Sequence, residues 1–276
     1  MNAPERAEAF AADAAAAERF RASRRRRSWR RRLLPLAAAA LIGLIWWVAV
    51  EAFAIPVYVV PSPLHVAETF QRDFGTLMRN LLPTAAESLL GFCLGNLAAI
   101  LVASVFVHQR HVREGFFPMA VLFNTIPIIA IAPILVLLLG NDMKPKIAIA
   151  ALISFFPTLV NMVRGLESVP PQALELMRVL SASRREVFFK LRLQNSLPYL
   201  FSALKITAST SVIGAIVGEW IGSTYGIGAL IIQATYNFDT GLLYASVLMG
   251  STYSVGFFAL VSFIEGRVVR WAPETH

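Results

Sequence analysis

VPPQALELMRVLSASRREVFFKLRLQNSLP, residues 169–198, is the only long polar, helix-competent stretch between apolar runs that are themselves long enough to cross a bilayer. Pro170 and Pro171 open it, at a place where a missing N–H costs a helix nothing. A first short helix is predicted over 172–180. Ser181, Ala182 and Ser183 follow, and their hydroxyls suit the cap of a second helix over 184–193. Pro198 is read as the start of the next element. The result is a helix–turn–helix elbow. Leu174, Met177, Leu180, Phe188 and Leu191 share one side, and Glu175, Arg178, Arg184, Arg185, Glu186, Lys190 and Arg192 the other.

The flanking composition says what such an elbow is attached to. The chain has 276 residues, of which 57% are hydrophobic and 15% charged. Its mean hydropathy is +0.61. Soluble domains carry about 25% charged residues, so a polytopic all-α membrane protein is expected. Cys93 is the one cysteine, which excludes a disulfide framework. A net charge of +8 raises the question of nucleic acid. The cations sit beside apolar spans, however, where anionic lipid headgroups explain them and no nucleic-acid partner is called for.

A bilayer core needs about 20 apolar residues per helix. Six runs meet this: 33–53, 84–107, 116–139, 145–163, 199–221 and 242–264. Arg24 to Arg32 (RRRRSWRRR) precedes the first run and is read as a cytoplasmic anchor rather than a twin-arginine export signal. With that end inside, the second span ends inside at Arg110 and Arg113, the fourth at Arg164 and the sixth at Arg267 and Arg270. Only Arg72, Arg79, Lys144 and Lys146 fall on the outer segments, so six spans with both termini cytoplasmic are expected. The predicted organisation is a cytoplasmic tail over 1–32, a first span and outer amphipathic segment over 33–82, a transmembrane domain over 83–266 with the elbow at 165–198, and a second tail over 267–276.

Within the spans, Gly91, Gly95, Ala99 and Ala103 recur every fourth residue, as do Gly214, Gly218 and Gly222. Small residues let helix backbones approach closely enough to gain dispersion that lipid does not match. Pro127 and Pro133 predict a kinked third span that faces protein or water, because each frees a backbone carbonyl. Asn124, Thr125, Asn161, Ser209, Thr210 and Ser211 are polar groups inside spans and are candidates for a translocation path. Glu51, Glu87 and Glu219 are embedded acids, with Glu51 and Glu219 expected to reach water at helix ends. No phosphate-cradling Gly-Lys-Ser/Thr loop, metal-ligand spacing or nucleophile–base constellation is present in the sequence. No cofactor, metal site or catalytic role is therefore expected of this chain.

The elbow resembles the coupling loop of permeases in binding-protein-dependent ABC importers. That family pattern is Glu-Ala-Ala, three residues, Gly, nine residues, Ile-x-Leu-Pro. Glu175, Leu191 and Leu193 hold the Glu, Ile and Leu positions, while Leu176, Met177, Ser181 and Gln194 replace the two alanines, the glycine and the proline. Pro61-Ser62-Pro63 after the first span is similar to the sulfonate, taurine, nitrate and thiamine-precursor branch. The stretches 188–192, 197–201 and 214–219 look more like permeases for pyrimidine thiamine precursors or riboflavin. The resemblance implies a type I importer permease fold in a bacterial inner membrane. It implies a homodimer, a dimer of ATPase subunits that hydrolyses ATP, and a soluble substrate-binding protein. It also implies that Glu175, Leu176, Met177, Arg178, Leu180, Ser181, Arg184 and Arg185 meet the ATPase. The competing readings are an ion-coupled secondary transporter or channel, which should show inverted repeats or paired charges inside the membrane, and a non-transporting scaffold.

Overall fold

The computed structural model describes residues 33–34 and 37–270. The Arg24 to Arg32 block, the 1–32 tail and the last six residues, whose readings rest on sequence alone, lie outside them. The chain divides into two units, Met1–His65 and Val66–His276. In the first, α1 (Ala37–Ala52) is a short apolar helix. It ends in a turn where Ala54 takes a positive φ of 46°. The Glu51 side chain is exposed, as expected.

Helix α2 (Pro63–Arg72) carries most of the expected outer amphipathic helix and leads into the second unit. That segment is not one unbroken helix. Asp73 interrupts it, and α3 (Phe74–His108) absorbs the remainder into a single 35-residue helix that passes through Pro83. The unit continues with α4 (Arg110–Asn124), α5 (Ile128–Leu139) and α6 (Met143–Glu167). The elbow helices are α7 (Pro171–Val179) and α8 (Arg184–Glu186). A π-helical segment (Val187–Arg192) then leads into α9 (Leu193–Glu219), and α10 (Ile227–Tyr236) and α11 (Thr240–Val268) complete the unit.

Among the described residues, four helices are long and apolar enough to cross a membrane, and a fifth crossing arises if α4 and α5 count as one span. That pair is the expected third span, and it differs from the expectation. It is two helices bent by 98° rather than one kinked rod. Pro127 has no N–H to offer the Phe123 carbonyl, which instead accepts the Ile126 N–H at 3.2 Å, tightening and ending the turn. Pro198, by contrast, does not begin a new element. It lies inside α9, and the helical path from Arg184 to Glu219 is continuous. The turns before it are anchored by the Arg192 and Asn195 side chains, and the helix continues past the one lost donor.

At the centre, α3, α6 and α9 stack with α6 between the other two. A Cβ on Gly91 would lie 2.4 Å from Ala150 Cβ, and one on Gly95 would lie 2.2 Å from the Ala151 carbonyl oxygen. From the other side, a Cβ on Gly214 would meet Ala150 Cα at 2.9 Å, and one on Gly218 would meet Lys146 Cα at 3.1 Å. The small residues of α3 face inward, while Leu90, Leu94, Leu97 and Leu101 of the same helix are exposed. Small-in, large-out is the pattern of a helix solvated by lipid. Larger side chains fill the space towards the elbow, where Phe106, Leu159, Met162 and Leu166 form a buried cluster with Ala99 and Ala103. At the far end, Leu77, Ile227, Leu230 and Met249 do the same.

Candidate functional site

The elbow follows from its local sequence. Pro171 starts α7. Helix α7 closes with two backbone bonds, Ala182 N–H to the Met177 carbonyl and Ser181 N–H to the Arg178 carbonyl, both 2.9 Å. This is a Schellman ending, and it requires a left-handed residue. Ser181 supplies it with φ of 52°. The serine that replaces the family glycine therefore adopts the conformation glycine would adopt. Ser183 then caps α8. Its hydroxyl accepts the Glu186 N–H at 3.3 Å, and the Glu186 carboxylate accepts the Ser183 N–H at 3.0 Å, completing a reciprocal box.

The base of the elbow is fastened. Arg192 donates to the Leu166 carbonyl at 3.3 Å, and Asn195 donates to the Ser168 hydroxyl at 2.8 Å. Arg113 pairs with Glu167. The Phe188 ring sits 4.9 Å from the His108 ring. The tip is open. Leu176, Val179 and Leu180 are 59%, 81% and 66% exposed, and Phe189 is exposed beside them. Glu175, Arg178, Arg184 and Arg185 are exposed around these residues. Met177 is half-buried. Leu180, on the expected apolar side of the elbow, is exposed within this chain.

The six path candidates separate into two groups. Asn124, Thr125 and Thr210 line one cavity of about 990 Å³, formed where the α4–α5 break faces α6 and α9. The other three are not on its wall. Asn161 donates to the Pro157 carbonyl, and Ser211 is buried with its hydroxyl on the Ala208 carbonyl. A polar knot crosses the stack instead through Asn96, which sequence reading passed over. Its side-chain oxygen accepts from Thr158 and, at 3.2 Å, from Thr207.

A second cluster was missed as a cluster. Glu219 does not reach water; it is buried at the far end of α9. Its carboxylate accepts the Thr84 hydroxyl at 2.6 Å and the Gly228 N–H at 2.6 Å. Gly228 lies in the first turn of α10, so Glu219 occupies the anion position at a helix N-terminus. Gly226, φ 118°, is required there, since a Cβ on it would strike the Glu219 carboxylate at 2.2 Å. Asn80 and Thr84 accept the N–H groups of Gly226 and Ile227. Beside them, Lys146 Nζ lies 3.7 Å from Glu87 and donates to Ser223 at 2.9 Å, with both ion-pair partners buried. A buried acid–base pair is therefore present inside the helical stack. The sequence signal was Lys146 itself, counted with the outer cations although it lies inside the apolar run 145–163 and in the first turn of α6.

Apolar helices long enough to span a bilayer, a broken apolar pair lining a cavity, and a polar elbow with an exposed apolar tip are the features of a helical membrane protein. Comparison with known proteins specifies which kind. The profile of the family described as "Binding-protein-dependent transport system inner membrane component" matches residues 95–272. A probable ABC transporter permease protein of Haemophilus influenzae is 31% identical over 237 residues, covering 86% of this chain and 97% of that one. The formylaminopyrimidine transport permease protein ThiX of Halalkalibacterium halodurans is 31% identical over 228 residues, 82% of this chain and 91% of its own. The riboflavin transport system permease protein RibX of Chloroflexus aurantiacus is 29% identical over 241 residues, 86% of this chain and 90% of its own. Among solved structures, an inward-facing form of the MetNI methionine ABC transporter aligns with a TM-score of 0.58 at 20% identity, over 72% of this chain and 97% of the other, and shares the fold. The chain belongs to the binding-protein-dependent transport family and is a permease subunit of an ABC importer.

Proposed function

We propose that the elbow is the point at which a separate ATPase subunit pushes on this permease, and that the chain works as a homodimer in a bacterial inner membrane. In this reading, α1 and the α4–α5 pair complete six crossings, and the elbow and both termini are cytoplasmic. A soluble binding protein delivers a small organic solute from the periplasm. The uncovered apolar tip carries the proposal: Leu176, Val179 and Leu180 are large hydrophobics exposed outside the lipid-facing helices. Ringed by Glu175, Arg178, Arg184 and Arg185, they have the composition of a docking surface, an apolar centre with a charged rim. The capped, Schellman-closed elbow is short and stiff. Its base is tied to α3 and α6, so motion imposed on the tip reaches the spans as rigid-body rocking. Hydrolysis of ATP then opens the permease alternately to each side. The ring-compound and sulfonate or nitrate permeases among the relatives bound the solute class.

The test is to make Glu175→Lys and Leu180→Asp and purify each with the ATPase. Both variants should keep their helices and thermal stability, because both side chains are exposed in this chain. ATPase retention and ATP-dependent uptake should fall by roughly tenfold or more if these are central contacts. Undiminished docking and uptake in both would refute the placement, as would labelling of an Arg184→Cys variant from outside the cell.

A further inference from the structure

Three observations meet at one place. The break between α4 and α5 leaves non-helical backbone in the middle of an apolar pair of helices bent by 98°. The cavity of about 990 Å³ opens against that break. Thr210, on its α9 wall, has a buried hydroxyl oxygen with no hydrogen-bond partner. Broken backbone at membrane depth is tolerated where it is buried in protein or borders a space that can satisfy it. A buried hydroxyl left without a partner is costly unless something binds it.

We propose that this cavity is a resting site for the solute inside the permease, and that it is built for an uncharged, flat heteroaromatic ring. The inference rests on the importer reading and narrows its solute class. About 300–1,000 Å³ is the usual size of a small-molecule site, with mostly apolar walls and few polar groups. The walls here follow that design. Phe116, Phe123, Phe155 and Phe156 line it, and aromatic side chains suit a flat ring. Thr210, Thr125 and Asn124 are the polar side chains on the wall, and no charged residue lines it. A sulfonate or nitrate would give up its hydration here and find no cation, a cost an uncharged ring does not bear. Rotation about χ1 exchanges the Thr210 hydroxyl with its methyl group, which swings the orphan into the cavity and onto a ring nitrogen or carbonyl.

The experiment uses the permease with its ATPase in nanodiscs, without the soluble receptor, so that receptor selectivity plays no part. Cys93 is replaced by serine, and exposed Thr125 by cysteine as a reporter. Formylaminopyrimidine, riboflavin, an alkanesulfonate and nitrate are tested for slowing maleimide attack on the reporter. At least one ring compound should protect, and neither anion should. Thr210→Val keeps the shape and should weaken that protection roughly two- to tenfold, the worth of one neutral hydrogen bond. Thr210→Ser keeps the hydroxyl and should preserve it. Protection by either anion, protection by none of the four, or equal protection in Thr210→Val overturns the proposal. So does a reporter already blocked without solute, which would mean that lipid or a second copy fills the space. Receptor-stimulated ATP hydrolysis by the same complex reads the importer function independently, and it can persist when the solute site fails.

Discussion

The two ends of the α3–α6–α9 stack are finished in opposite ways. At the far end, charges are inside: Lys146, Glu87 and Glu219 are buried among Thr84, Ser223 and the first turn of α10. At the elbow end, large apolar side chains are outside, with Leu176, Val179 and Leu180 uncovered. The far end satisfies nearly all its polar groups within the chain, and Glu87 Oε2 is the exception. The elbow satisfies its backbone and leaves its apolar surface bare. The first arrangement makes a rigid joint, since every displacement breaks a bond in a medium that offers no replacement. The second makes a handle, since its surface gains nothing until another protein covers it.

The comparison predicts that removing a charge at the far end is the most damaging single change. Lys146→Met leaves Glu87 buried without its cation. Loss of one partner of a buried pair costs about 3–5 kcal/mol. Thermal unfolding in detergent should show a large drop. The double variant Lys146→Met, Glu87→Leu should recover part of it, because the Glu87 charge leaves with its cation while Glu219 keeps its Thr84 and Gly228 donors. If the double variant were no better than the single one, the ion pair would not be the source of the loss.

A smaller effect is expected where helices touch without polar groups. Gly95→Leu places side-chain atoms where the Ala151 carbonyl oxygen already stands, 2.2 Å from the ideal Cβ. Backbones must separate, and overpacking of this kind costs about 1–3 kcal/mol. Gly256, with nothing within 4 Å of its Cβ position, is the control, and Gly256→Leu should lose little. Equal losses at the two sites would mean that α3 and α6 are not in close contact.

How much of this could be read in advance follows the same division. The elbow was legible because local rules govern it: Pro171 at the helix start, Ser183 with Glu186 three residues on, and a turn between them. The glycine spacing announced close packing, because a period of four places residues on one helix face. The far-end cluster was not legible. Thr84 and Glu219 are 135 residues apart, and nothing local to either names the other. Lys146 was counted with the outer segments although it lies inside the apolar run 145–163, because a cation at the edge of a span reads as an end charge. The break at 125–127 was half legible. Pro127 signalled a kink, but whether a proline bends a helix or ends it depends on what holds the flanking turns. The turns before Pro198 are tied to the end of α6 and the residue after it through Arg192 and Asn195, whereas the Thr125 side chain before Pro127 bonds back to Leu122 of its own helix.

The smallest expected effects lie in the handle itself, and they have opposite signs. Ser183→Ala removes the hydroxyl that accepts the Glu186 N–H and should cost about 1 kcal/mol of local helix stability. Ser181→Gly should do the reverse. Ser181 holds φ at 52°, a conformation that costs an L-residue about 1–2 kcal/mol and glycine almost nothing. Glycine also widens the unfolded ensemble, so the net gain should be a fraction of that. Amide hydrogen exchange over 176–187 reads both changes. Faster exchange in Ser183→Ala and slower exchange at the Ala182 N–H in Ser181→Gly are expected, with global unfolding unchanged in both because the elbow tip supports no core. A shift of the global transition by either variant would show that the tip is braced by the bundle, and the contrast between a rigid far joint and a free handle would not hold.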